Sequence, residues 1–152
     1  MNTISNKEFN FIIYTDGACL GNPGPGGWAA IIINKYNEKK EISGSEENTT
    51  NNRMELQACI NALNFTKAGD NLIIYTDSKY LIDGIKSWIQ KWKNNGWLTV
   101  NKKSVKNKDL WMKLDSLIND KNIEWEWVKG HSGNKFNEEV DVLARKKADS
   151  LN

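Results

Sequence analysis

The alternation of apolar and polar residues along this 152-residue chain predicts a mixture of strands and helices. Short apolar or β-branched runs predict five strands, and longer stretches with a helical period predict about four helices. The predicted strands are Phe11–Thr15, Trp28–Ile33, Lys39–Gly44, Asn71–Thr76 and Ile123–Val128. The predicted helices are Thr50–Thr66, Ser78 to about Lys93, Asn107–Ile118 and Phe136 to about Ala148. Three strands followed by alternating helices and strands indicate an α/β fold.

The connections between these elements favour a single sheet. The first strand is expected to end in a turn at Asp16-Gly17, and the Gly- and Pro-rich stretch 21–27 is predicted to be a loop. Asn37 and Glu38 predict a hairpin between the second and third strands. We therefore expect a mixed five-stranded sheet, three antiparallel strands followed by parallel additions, with helices on both faces. No linker interrupts the pattern, so residues 1–152 are expected to form one domain.

The same five residues, Ile-Ile-Tyr-Thr-Asp, occur at positions 12–16 and 73–77, so an aspartate directly follows each of two predicted strands. If these strands are parallel neighbours, Asp16 and Asp77 emerge together at the sheet edge where open α/β sheets bind ligands. Two carboxylates that close repel one another unless a cation lies between them. The alternative is that each aspartate only begins a turn or caps a helix.

Two further carboxylates lie on predicted helices. Glu55 falls within the apolar arc of its helix, where a carboxylate needs a partner, although it could instead pair with Asn52 in a capping box. Asp141 borders the apolar stripe of the last helix, and a surface ion pair with Arg145 is the simpler reading of it. Convergence of all four acidic residues would suit a hard cation such as Mg²⁺ or Mn²⁺.

The chain contains one histidine, His131, in a Gly-rich loop between the last predicted strand and the last predicted helix. A lone histidine is often incidental to function. The neighbouring glycines nevertheless favour a mobile proton carrier at the mouth of a site over a histidine packed in a core.

Charge is distributed unevenly, although 21 basic residues nearly balance 19 acidic ones. The segment Lys86–Lys108 contains seven lysines and no Asp or Glu, with Trp88, Trp92 and Trp97 set among them. Such a run can be a solvated face, but lysines interleaved with aromatic rings also hold phosphates while presenting flat surfaces to sugars or bases. A nucleic acid is the partner that this pattern favours.

The cysteines and the lengths of the apolar runs bear on where in the cell the protein is expected. Cys19 and Cys59 are too few and too far apart for a disulfide framework. The longest apolar runs are strand-sized and the first residues lack a signal-peptide pattern, so we expect a cytoplasmic protein without a membrane segment. Nothing indicates an obligatory protein partner, and a monomer is expected.

Several short motifs are more specific together than any one alone. They are Thr-Asp-Gly-Ala-Cys-Leu-Gly-Asn-Pro-Gly-Pro-Gly-Gly at 15–27, Thr-Asn-Asn-Arg-Met-Glu-Leu at 50–56, Thr-Asp-Ser at 76–78, Trp-Glu-Trp-Val-Lys-Gly-His at 125–131, and Asp141 before Leu143-Ala144. With these motifs the chain resembles bacterial type 1 ribonuclease H over nearly its whole length.

The resemblance implies the ribonuclease H fold and endonucleolytic cutting of the RNA strand of RNA/DNA hybrids, giving 5′-phosphate and 3′-hydroxyl ends. It assigns metal binding and catalysis to Asp16, Glu55, Asp77 and Asp141, and proton transfer or product release to His131. It implies two Mg²⁺ ions, with Mn²⁺ as an alternative, about 4 Å apart, one helping to deprotonate the attacking water and the other stabilising the leaving 3′ oxygen.

The resemblance also implies contacts with the hybrid. Residues expected to line it near the minor groove, where a 2′-hydroxyl distinguishes RNA from DNA, are Asn22, Asn51 and Asn52. Thr50 and Asn107 resemble a pocket for a DNA-strand phosphate. The segment Lys86–Lys108 resembles the basic protrusion of the family, and its expected substrate contacts are Trp88, on the DNA strand, and Lys93. Cys19, in the first motif, is also expected to bind substrate.

Two departures from the family pattern concern binding. Asn48 stands where many relatives have a basic residue, so the phosphate pocket is expected to be weaker. Lys79 stands where Gln is frequent, and the nature of its contact with the hybrid is left open.

Two rival functions remain at this stage. A non-catalytic hybrid-binding module would need the basic, tryptophan-rich segment but would have no use for four carboxylates. A DNA-cutting nuclease of the same fold is disfavoured by the asparagine-rich motif and the short chain, although fold alone does not decide this.

Overall fold

The computed structural model describes residues 8–130 and 134–151. The strands are β1 (Phe11–Cys19), β2 (Gly24–Asn34), β3 (Lys39–Thr49), β4 (Asn71–Thr76) and β5 (Asn122–Trp127). The helices are α1 (Asn51–Leu63), α2 (Lys79–Asp83), α3 (Ile89–Asn94), α4 (Lys108–Ile118) and α5 (Lys135–Asp149), and a π-helical turn, Gly84–Trp88, joins α2 to α3. Within the described ranges, no helix combines the length and the apolar character needed to cross a membrane.

The five strands form one sheet in the order β3-β2-β1-β4-β5. β1 pairs antiparallel with β2, which pairs antiparallel with β3, whereas β4 joins β1 in parallel and β5 joins β4 in parallel. The mixed sheet predicted from the sequence is therefore confirmed. Its parallel half places Thr15, within β1, opposite Thr76, the last residue of β4.

Alternating residues of the strands enter two separate cores. On one face, Ile13 of β1 and Ile74 of β4 pack with Leu56 of α1 and with Trp111 of α4. On the other face, a smaller core joins β1 and β2 to α5 and contains Tyr14, Ile31, Val140 and Ala144. Helices thus cover both faces, as expected, because the period of two along each strand sends neighbouring side chains to opposite sides.

The structure corrects three boundaries predicted for the strands. β1 continues past Asp16 to Cys19, β2 already begins at Gly24 inside the predicted loop, and β3 extends to Thr49. The reason is that ladder hydrogen bonds join backbone atoms, so glycines without an apolar signature still pair, as Gly26 does with Cys19. Asp16 therefore lies within a strand and not at a turn.

The helix predicted from Ser78 to about Lys93 is also interrupted. A π-helical turn separates its two α-helical parts at Gly84–Trp88. A Cβ atom on Gly84 would overlap the indole ring of Trp111. The wider turn thus lies where the helix meets a large buried ring of α4, a contact that helical periodicity does not reveal.

Candidate active site

Three carboxylates from separate elements meet at one edge of the sheet. Asp16 lies in β1, Asp77 directly follows β4 and Glu55 lies in α1, and one oxygen of each is within 4.8 Å of the others. The parallel pairing of β1 with β4 ends at Thr15 and Thr76, and an aspartate follows each of these two residues in the chain. The repeated pentapeptide therefore has a structural meaning, because it brings two acidic side chains to the same place.

Close packing of α1 on β1 brings Glu55 to the two aspartates. A Cβ atom on Gly17 would lie 2.5 Å from the backbone nitrogen of Glu55, so only glycine fits between the strand and the helix. The Thr50 hydroxyl fixes the start of α1 by accepting a hydrogen bond from the Arg53 N–H at 3.2 Å. The N-cap is thus Thr50, and the capping box considered for Asn52 is not the arrangement of this helix.

Two of the carboxylates are almost completely buried. Asp16 is 3% exposed and Glu55 is 5% exposed. Burial, followed by the charges of Asp77 and Asp141, raises the pKa of Asp16 to about 9, although the Gly17 N–H donates to its Oδ1 at 2.9 Å. Burial, followed by the charges of Asp16 and Asp77, raises the pKa of Glu55 well above its usual range. Ionising this cluster is therefore costly unless positive charge enters it.

Asp141 approaches the same cluster from α5. Its side chain interacts with that of Asp16, while Arg145 Nη2 lies 3.1 Å from its Oδ2. The surface ion pair expected for Asp141 is thus present, and the same carboxylate also reaches the buried cluster. Gly27 allows this approach, because a Cβ atom there would overlap the backbone carbonyl of Ala144 on α5.

The donor set suits a hard divalent cation. Asp16, Glu55 and Asp77 offer only carboxylate oxygens, which are ligands typical of Mg²⁺ and Mn²⁺ but not of structural zinc. Glu55 Oε1 is buried and has no hydrogen-bond partner in the described part of the chain. A buried acceptor without a donor is unfavourable, and metal coordination would satisfy it.

Comparison with known proteins agrees with this geometry. The RNase H family model matches residues 8–149 of the chain. The chain belongs to the ribonuclease H family. Ribonuclease H of Wolbachia pipientis wMel is 59% identical over 143 residues, which make up 94% of this chain and 97% of that protein.

Solved structures of ribonucleases H share the fold. The crystal structure of LC9-RNase H1, a type 1 RNase H with the type 2 active-site motif, has a TM-score of 0.83 and 30% identity, and the alignment covers 96% of this chain and 75% of that one. LC11-RNase H1 in complex with an RNA/DNA hybrid has a TM-score of 0.69 and 24% identity, covering 92% of this chain and 97% of that one. The second likeness concerns the fold alone.

In this ribonuclease H, the asparagines expected near the minor groove lie at the start of α1. Asn22 Oδ1 accepts a hydrogen bond from the Asn51 N–H at 3.0 Å, and Asn51 and Asn52 are exposed. The Cys19 thiol, which is also predicted to bind substrate, contacts the carbonyl oxygens of Gly24 and Thr49, at 3.5 and 3.4 Å. The Cys19 side chain thus lies beside the start of β2 and the end of β3, where Gly24 pairs with Thr49.

The two residues of the expected phosphate pocket have internal partners. The Thr50 hydroxyl caps α1, as described above. Asn107 has a positive φ of 61°, its Oδ1 accepts from Arg53 Nη1 at 3.3 Å, and its Nδ2 donates to the Tyr80 hydroxyl at 3.0 Å. Arg53 also binds Asp109 through two hydrogen bonds of 3.0 and 2.8 Å. The sequence reading did not select Arg53 as a site residue, although it lies in the motif at 50–56.

The tryptophans of the basic segment Lys86–Lys108 pack in a cluster of aromatic rings. Trp88 is half-buried, and its ring centroid lies 5.5 Å from that of Tyr80 and 5.8 Å from that of Trp92. Lys93 forms an ion pair with Asp115 at 3.3 Å. Trp88 therefore packs between Tyr80 and Trp92, and the charge of Lys93 is partly neutralised by Asp115.

His131 lies outside the described residues. The ammonium group of Lys79 lies 4.9 Å from the ring centroid of Trp127, a residue that the sequence reading did not select. The indole N–H of Trp127 donates to the Asp77 carbonyl oxygen at 3.1 Å, so this ring borders the carboxylate cluster. The only signal in the sequence was its membership of the motif at 125–131.

Proposed function

We propose that this ribonuclease H hydrolyses the RNA strand of RNA/DNA hybrids and leaves 5′-phosphate and 3′-hydroxyl ends. The observation that carries the proposal is the meeting of Asp16, Glu55 and Asp77 oxygens within 4.8 Å, in a chain whose residues 8–149 match the RNase H family. The hybrid bound in the LC11-RNase H1 structure supports the substrate class. The proposal includes one domain over residues 1–152, acting as a monomer.

Asp16, Glu55, Asp77 and Asp141 would hold two Mg²⁺ ions, which Mn²⁺ could replace. When bound, the metal would supply activation of the attacking water and stabilisation of the leaving 3′ oxygen. Without a cation the carboxylates would repel the scissile phosphate, so the part of this chain is to offer acidic oxygens that lie close together, those of Asp16, Glu55 and Asp77 within 4.8 Å. Asp16, Glu55 and Asp141 lie on packed strands or helices and Asp77 directly follows β4, so these ligands are held more rigidly than on a long loop.

Other residues of the chain would handle the proton and the substrate. By the family resemblance, His131 would assist proton transfer or product release. Asn22, Asn51 and Asn52 would contact the minor groove, and Thr50 and Asn107 would contact a DNA-strand phosphate, with Arg53 close to both. The exposed lysines of the segment Lys86–Lys108 would add charge that favours any nucleic acid, so discrimination of RNA falls to the contacts at the groove.

Strand-specific cleavage tests this function. The purified protein is incubated with Mg²⁺ and four labelled substrates, namely an RNA/DNA hybrid, duplex RNA, duplex DNA and single-stranded RNA. We expect only the RNA strand of the hybrid to be cut, and chelation with EDTA to stop cutting. Binding without any cutting would support the hybrid-binding module, and cutting of duplex DNA would support the DNA nuclease; either result contradicts the proposal.

A further inference from the structure

A lysine and a tryptophan form a small platform beside the carboxylate cluster. Lys79 is the first residue of α2 and Trp127 is the last residue of β5, and the ammonium group lies 4.9 Å from the centroid of the indole ring. This geometry is that of a cation–π contact. The contact places one positive charge over a defined ring and joins the start of α2 to the end of β5.

The platform is joined directly to a residue of the candidate active site. The indole N–H of Trp127 donates to the Asp77 carbonyl oxygen at 3.1 Å. The following residue, Val128, donates its N–H to the Thr76 carbonyl oxygen at 2.8 Å, which keeps the end of β5 against the end of β4. Trp127 is therefore held beside Asp77, and the Lys79 ammonium lies over the ring of this tryptophan.

The platform is also open to a ligand. Trp127 is 43% exposed, and Lys79 is exposed as well. Among the described residues, Lys79 forms no salt bridge, whereas Lys93, Lys39 and Lys121 do. An ammonium group is a donor without an acceptor, so the ligand that it suits is an anion.

The substrate supplies such an anion next to the carboxylates. A nucleic-acid strand whose scissile phosphate lies at Asp16 and Asp77 must bring further phosphates past the rim of the site. The acidic cluster repels those phosphates, and a cation fixed at the rim offsets the repulsion at one of them.

We propose that Lys79, positioned by Trp127, binds a backbone phosphate of the RNA strand next to the scissile one. Lys79 is then a substrate-binding residue, and Trp127 is a positioning residue that acts through it. This inference rests on the proposed function, because it requires that the RNA strand of a hybrid lies in the carboxylate site.

Steady-state cleavage of a labelled hybrid at several salt concentrations tests the proposal. For Lys79→Met we expect KM to rise about three- to tenfold with kcat nearly unchanged, because one exposed charge-assisted contact is lost. The slope of log KM against log salt concentration should fall by about 0.7 to 0.9, the contribution of one phosphate contact. Lys79→Arg keeps the charge and stacks on the ring, so it should restore both quantities.

A matched control exists at the other end of the sheet. Lys40 lies over Phe65 with its ammonium group 5.2 Å from the ring centroid, and both residues line a groove with Phe11, the first residue of β1. Lys40→Met therefore removes the same kind of contact far from the carboxylates. It should change neither KM nor the salt dependence.

The positioning role of Trp127 is tested by combining variants. Trp127→Leu should raise KM in the native background but have little further effect in the Lys79→Met background. A hybrid whose RNA strand carries a neutral methylphosphonate beside the cut site should be bound less tightly by the native protein, and no less tightly by Lys79→Met. Thermal unfolding shows whether Trp127→Leu folds. If it does not, the Lys79 variants and the hybrid with the neutral linkage still test whether Lys79 binds a phosphate.

The outcomes separate the two proposals. A native protein that cuts no hybrid would overturn the proposed function. A native protein that cuts the hybrid, together with a Lys79→Met variant whose KM and salt slope match those of Lys40→Met, would overturn only the role of Lys79. Equal KM effects of Trp127→Leu in both backgrounds would show that Trp127 does not act through Lys79.

Discussion

Replacing Asp16 by asparagine is expected to lower hybrid cleavage about a thousandfold or more, since it removes a carboxylate placed to bind the metal. The same substitution should make the metal-free protein more stable, by about 1–2 kcal/mol near pH 8. The reason is that Asp16 is 3% exposed and adjoins Glu55, Asp77 and Asp141. Cleavage of the labelled hybrid and thermal unfolding in EDTA measure the two effects.

The gain in stability should depend on pH in a defined direction. Burial, followed by the charges of Asp77 and Asp141, raises the pKa of Asp16 from 3.8 to about 9. Between these values the folded protein holds a proton that the unfolded chain has released, so the metal-free native protein loses stability as pH rises. Asp16→Asn does not carry this penalty, and its advantage should be absent near pH 4, grow with pH and level off above about pH 9.

A surface aspartate provides the control for this pair of measurements. Asp83 ends α2 and is exposed, so Asp83→Asn should keep native cleavage and change stability by less than about 0.5 kcal/mol. Retention of cleavage by Asp16→Asn would contradict the assignment of metal binding to this residue. A gain in stability that does not vary with pH would contradict the electrostatic explanation.

Gly17→Ala is expected to lower both stability and activity, because it would drive α1 away from β1. The added Cβ atom would lie 2.5 Å from the Glu55 nitrogen and 2.5 Å from the Met54 carbonyl carbon, which are backbone atoms that cannot rotate away. We expect a loss of about 3 kcal/mol in the free energy of unfolding. A displacement of Glu55 by about 1 Å would reduce cleavage about a hundredfold.

Gly69→Ala separates steric overlap from the general cost of losing a glycine. Gly69 has a φ of +86° but nothing lies within 4 Å of its added Cβ atom. This variant should lose about 1 kcal/mol of stability and retain native cleavage. If Gly17→Ala behaved like Gly69→Ala, the close approach of β1 and α1 would not be what sets Glu55 against Asp16.

The sequence predicted the sheet and the meeting of the acidic residues because both follow from short-range patterns. The pentapeptide repeated at 12–16 and 73–77 marks two strands that do pair in parallel. Thr15 lies opposite Thr76 in this pairing, and an aspartate follows each of them. Glu55 was recognisable because a carboxylate on an apolar helix face needs a partner. These inferences required only the period of each element and the position of its charged residues.

What the sequence did not predict depends on contacts between distant residues. β1 and β2 extend through glycines because their backbones pair, and such pairing has no apolar signature. The π-helical turn arises where Gly84 packs against Trp111, a residue of another helix. The hydrogen bonds of Arg53 with Asp109 join residues 56 positions apart. Trp127 likewise gains its relation to Asp77 and Lys79 only when β5 lies beside β4.

Diffraction from crystals soaked in Mn²⁺ tests most directly whether the acidic cluster is a divalent-metal site. The anomalous signal of manganese locates the ion without reference to activity. We predict a peak within coordination distance of Asp16, Glu55 and Asp77 oxygens, and its loss in crystals of Asp16→Asn. Ordered carboxylates with no peak between them, or manganese bound only at other surfaces, would contradict this prediction.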